Sequence, residues 1–156
     1  MKKRTGQQPF IRLLFIIYCA TMLWLLFGRS FGWVEGLSYQ QMLQNNINLT
    51  PLYTIKNYLR VVINRTNDAV YAHCLINLLG NVLLFIPIGY LLPKIWPTQR
   101  NFFVFIFSAF LLILAIEVTQ LFSLLGSFDI DDIILNFPGM LIGYFLWLFT
   151  KLRAPA

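Results

Sequence analysis

Seven polar side chains lie in or at the edge of stretches otherwise built for lipid: Asn77 and Asn81, Glu117 and Gln120, and Asp129, Asp132 and Asn136. Carboxylates accept hydrogen bonds and carry charge, while amides both donate and accept, so together they form a set suited to holding a cation or a polar group. The same acids could serve acid/base or metal-assisted chemistry on a lipid head group. Spacings of three or four residues put the members of each set on one helix face, with Asp129, Asp132 and Asn136 sharing theirs if that helix begins at Phe128. Asp131 points elsewhere. The chain has no HExxH, no nucleophile elbow and no glycine-rich phosphate loop, and its aspartates lack the Asp-Gly of a calcium loop. Binding is therefore the first reading; no cofactor is called for, and the identity of any metal ligand or catalytic residue stays open.

These residues need a scaffold that crosses a membrane. Of 156 residues 58% are hydrophobic and 12% charged, against roughly 25% charged in a soluble domain. Four stretches meet the ~17 to 25 residues that a ~30 Å hydrocarbon core demands: Phe10 to Phe27, Cys74 to Leu92, Phe102 to Leu125 and Ile133 to Phe149. The expected fold is an all-α membrane protein, a four-transmembrane-helix bundle forming one domain over residues 1–156, with a long extracytoplasmic loop at 28–73. Lys2, Lys3 and Arg4 give the first span the look of a signal peptide, but GRSFGW follows it with no small-residue cleavage site, so it is expected to stay as an anchor. Eight Lys and Arg flank the spans on the side of both termini and four on the other. This bias places both termini of a multi-pass membrane chain in the cytoplasm. Topology thus accounts for the net charge of +6 without nucleic acid as a partner.

Depth sorts the polar residues. Glu117 lies eight residues before the outer end of the third span, ~12 Å below the surface at 1.5 Å per residue. Asn77 and Asn81 enter from the outside on the second span, and Asp129, Asp132 and Asn136 on the fourth. The inner halves read ILLF, FVFIFSAF and YFLWLF, which argues against a through-path. A charged acid in mid-helix costs roughly 2.5 to 3.5 kcal/mol on insertion scales. Glu117 therefore is protonated through desolvation, holds a cation with the aspartates, or is reached by a basic loop residue such as Arg60, Arg65 or His73. Plainer readings stand beside these: hydrogen-bonding glue between helices for Asn77 and Asn81, and a dipole-favouring N-terminal set for the aspartates.

The loop carries its own helix signal in NLTPLYTIKNYLRVVI. Thr50 can cap and Pro51 suits the first helical position; Leu52, Ile55, Leu59 and Val62 then form one stripe, with Lys56, Asn57 and Arg60 opposite. Such a helix lies in the outer headgroup region or docks on the bundle. Pro87 should bend the second span, and Gly139 and Gly143, four apart, let another helix come close.

At NLLGNVLLFIPIGYLLP, IEVTQLF and FDIDDIILNFPGMLIGY, and at NLTPLYTI before them, the chain resembles the VanZ-like family of small bacterial membrane proteins over most of its length from Asn48 onward. The motif positions fall on Asn77, Asn81, Pro87 and Gly89, on Glu117 and Gln120, and on Asp129, Asp132, Asn136, Gly139 and Gly143. Two departures stand out. Leu125, Gly126 and Ser127 occupy the place where many members have an Arg, and Pro138 follows Asn136 closely enough that distortion of the fourth span is expected, with the Ile134 carbonyl freed toward the site. The resemblance implies a cell-envelope role and, from the member that names the family, low-level resistance to the glycopeptide teicoplanin. The partners so implied are membrane lipid and a glycopeptide antibiotic or envelope precursor. A membrane enzyme acting on a lipid or envelope precursor, or a small transporter, is the alternative.

Overall fold

A computed structural model describes residues 7–28, 34–65 and 68–153; the Lys2, Lys3 and Arg4 cluster lies outside them. In chain order the elements are α1 (Gln7–Phe27), α2 (Tyr39–Asn45), β1 (Ile47–Asn48), α3 (Tyr53–Asn64), α4 (Asp68–Ile95), a 3-10 turn (Pro97–Arg100), α5 (Phe102–Ser123), β2 (Phe128–Asp129) and α6 (Ile130–Leu152). α1, α4, α5 and α6 are long and apolar enough to cross a membrane, so the chain is an all-α, multi-pass membrane bundle. α1 and α5 finish, and α4 and α6 begin, at one end of the bundle, which we call the acidic end.

The closest helix pair is α4 with α6, and glycine is the reason. A Cβ at Gly89 would be driven into the Met140 backbone, one at Gly139 into the Val82 carbonyl, and one at Gly143 into the Ile86 carbonyl and the backbone around Gly89. The expected glycine approach is thus made, with α4 as the partner. Toward the end away from the acids the centre is filled by Phe85, Ile88, Phe105, Ile113, Met140 and Trp147. The Phe105 and Tyr144 rings lie 4.5 Å apart and join α5 to α6. α1 is peripheral: Met22 is its one buried residue among those described. Hydrogen bonds from Tyr18 Oη to the Leu84 carbonyl and from Gln120 Nε2 to the Leu26 carbonyl (3.2 Å) tie it to α4 and α5.

Several boundaries differ from expectation. α4 begins at Asp68, six residues before Cys74, because a hydropathy window does not see the polar turn DAVYAH that continues the helix outward. Leu124, in the left-handed region at φ 56°, ends α5 at Ser123. α6 begins at Ile130 and not at Phe128: Phe128 and Asp129 are extended and pair in parallel with Ile47 and Asn48. Pro138 leaves α6 unbroken, since its fixed φ is already helical and it forfeits one backbone bond; its ring lies on the exposed side. α2, unforeseen, is announced by a capping box in which Ser38 and Gln41 satisfy each other's backbone N–H groups.

α3 forms near where its pattern placed it, yet Thr50 does not cap it. Residues 50–52 make a turn, Leu52 at φ 63° is the N-cap, and no side chain of the segment itself caps the helix. The helix docks on α4 and α6, and it is turned so that Thr54, Ile55, Tyr58 and Val62 are partly covered while Leu59 is exposed.

Candidate functional site

What holds α3 is the acidic start of α6. The fully buried Asp131 carboxylate accepts from Leu52 N (2.5 Å) and Ile55 N (3.1 Å), capping α3 from across the chain. Asp129 caps its own helix through Asp131 N (2.9 Å) and also accepts from Thr54 Oγ1 (2.6 Å) and Asn48 Nδ2 (3.3 Å). The short β1–β2 pairing sets this register. Asn48, Thr54 and Asp131 are the residues that local pattern reading missed, because the segment offered Thr50 as a cap and nothing local pointed to a carboxylate on another helix.

The seven candidates divide into two layers. Asn77, Asn81, Gln120, Asp129 and Asp132 line a cavity of about 600 Å³ at the acidic end, shared with α1, α3 and the α5–α6 loop. Asn81 Nδ2 donates to Asp132 Oδ1 across the α4–α6 interface, and among the described residues no hydrogen bond reaches Asp132 Oδ2. Asn77 folds back onto His73, whose carbonyl and Nε2 lie 2.9 and 3.0 Å from its Nδ2.

Glu117 and Asn136 sit behind this wall, 1% and 2% exposed, and do not line the cavity. Glu117 Oε2 accepts from the Asp129 backbone N–H at 3.4 Å, and Asn136 Oδ1 is buried without a partner. Sequence depth fixed the level of these two residues but not the direction in which they face. The basic loop residues do not answer for Glu117: Arg65 lies over the Tyr71 ring, His73 engages Asn77, and Arg60 is on the exposed side of α3. The freed Ile134 carbonyl expected at the site is likewise not in the cavity wall. Of the two asparagines expected as interhelical glue, Asn81 does bond across to Asp132 on α6, while Asn77 bonds back to His73 of its own helix.

Chemically, the cavity offers the carboxylates of Asp129 and Asp132 as acceptors beside the amides of Asn77, Asn81 and Gln120. Among the described residues no group of three or more His, Cys, Asp or Glu side chains is placed to hold a metal ion.

The sequence pattern of the VanZ/LLP1 family matches residues 15–151. Protein VanZ of Enterococcus faecium is 29% identical over 139 residues, covering 86% of this chain and 71% of that relative. No solved structure matches the chain.

Proposed function

The chain belongs to the VanZ/LLP1 family, and from that premise we propose that it serves the cell envelope by binding a polar or cationic group at the acidic end. That end faces the outside of a bacterial cytoplasmic membrane under the Lys and Arg asymmetry of the flanks. Asp132 receives the group, with Asn81, Gln120 and Asn77 as hydrogen-bonding walls; Glu117, which accepts from the Asp129 backbone, is a positioning residue, and Asn136 is buried in the packed interior. The observation that carries this reading is Asp132 in the wall of a cavity of about 600 Å³, its Oδ2 reached by no hydrogen bond among the described residues, a volume within the ordinary size of a small-ligand site. Binding takes precedence over turnover because the acids accept hydrogen bonds from neutral partners and, among the described residues, no nucleophile and base pair up.

The group belongs to an envelope precursor, a lipid head or a glycopeptide, and low-level teicoplanin resistance is the phenotype to test. A sensitive Gram-positive host expressing wild type is expected to be protected, and Asp132→Asn at equal membrane abundance is expected to lose that protection. Equal protection by both would remove Asp132 from the function, and no protection by well-expressed wild type would sever this chain from the phenotype.

A further inference from the structure

The cavity changes character along its length. α4 supplies its longest wall, from His73 to Pro87, fourteen residue steps or roughly 21 Å at 1.5 Å per step. His73, Asn77 and Asn81 occupy the first part, facing Asp129 and Asp132. From Leu83 inward the wall is Leu83, Leu84 and Pro87, opposite Tyr18 of α1, while Leu25 lies seven residues nearer the acidic end. The Tyr18 hydroxyl, bound to the Leu84 carbonyl, joins the two helices at this depth.

Gly80 marks the waist between the two parts. A Cβ there would meet nothing within 4 Å, unlike the glycines at 89, 139 and 143, which all abut backbone. A glycine inside a helix costs up to about 1 kcal/mol relative to alanine, and no close packing explains this one. What it preserves is open width at the point where polar lining gives way to apolar.

Resting on the binding reading above, we propose that the cavity holds a single-chain amphiphile with a protonated amine head. The head donates to Asp132 Oδ2, and the hydrocarbon chain passes Gly80 and lies between α1 and α4 toward Pro87. A cationic donor suits the head position because the carboxylates there have neutral partners, and an uncompensated charge at such depth is costly. One chain suits the inner part, where α4 contributes Leu83, Leu84 and Pro87 and the Tyr18–Leu84 hydrogen bond holds α1 close to α4.

The test is photolabelling of the full chain in lipid nanodiscs with n-dodecylamine carrying a terminal diazirine, the labelled residues being mapped by mass spectrometry. Label is expected at Tyr18, Leu84 and Pro87. It should be lost in Gly80→Leu, a variant whose side chain enters open space and whose melting temperature should stay at or above wild type, and retained in Gly80→Ala. Label spread evenly over lipid-facing residues such as Phe103 and Leu152, or undiminished in Gly80→Leu, would overturn the chain's placement. If n-butylamine, which has almost no chain, still bound in an Asp132-dependent manner, the polar-group reading would survive that result. If neither amine depended on Asp132, both readings would fall together.

Discussion

Asp131→Ala is the sharpest perturbation of the scaffold, because this carboxylate is fully buried and serves a helix 76 to 79 residues away in sequence. Two hydrogen bonds to a charged acceptor, at about 1.5 to 3 kcal/mol each, set a ceiling near 3 to 6 kcal/mol. No residue of α3 is buried, so water can replace part of what the carboxylate provides, and the loss should approach that of a strong N-cap, about 2 kcal/mol. Confined to α3, this predicts roughly 30-fold faster amide exchange through Leu52–Tyr58, with exchange in the centres of α5 and α6 unchanged. Asp131→Asn keeps one oxygen for one of the two N–H groups and should recover about half of the loss in free energy. Hydrogen exchange read by mass spectrometry on protein in nanodiscs measures this directly. Unchanged α3 exchange in Asp131→Ala would refute the cap, and uniform acceleration over the whole bundle would refute its confinement to α3.

Other outcomes follow from the same geometry. Gly89→Ala or Gly143→Ala should lower thermal stability by about 1 to 3 kcal/mol through forced separation of α4 and α6, whereas Gly80→Ala should be neutral or stabilising by up to ~1 kcal/mol; similar melting temperatures for all three would contradict the packing account. Asn136→Leu, which removes a buried acceptor with no partner, should leave the melting temperature unchanged or raised, and a large drop would mean that the amide is satisfied. Thr54→Val, which deletes the 2.6 Å donor to Asp129, should destabilise by about 1 kcal/mol and loosen α3 as Asp131→Asn does, again read by amide exchange.

The four spans were legible because length and apolar content suffice for them, and the levels of the polar residues followed from counting along antiparallel helices. Counting does not give azimuth: Glu117 is at the expected depth but faces the packed interior behind Asp129, and Asn136 is hidden in the same way. Local capping rules proposed Thr50 for α3 because they search within a few residues, while the cap that forms comes from Asp131 on another helix. The pairing of Ile47 and Asn48 with Phe128 and Asp129 is equally non-local, and it converts Asp129 from a helical residue into an N-cap. Gly139 and Gly143 announced a close helix contact by their spacing; that α4 is the partner, through Gly89, required the fold. Gly80 carried no distinguishing mark in the sequence, since nothing there shows whether a missing side chain faces backbone or empty space.

The most direct measurement is a calorimetric titration of purified protein in nanodiscs with n-butylamine, comparing wild type with Asp132→Asn. Saturable binding by wild type that Asp132→Asn abolishes, while its fold and melting behaviour persist, is the predicted result. No heat with wild type, or equal binding by both, would contradict the claim that the acidic end of this bundle is a site for a cationic group.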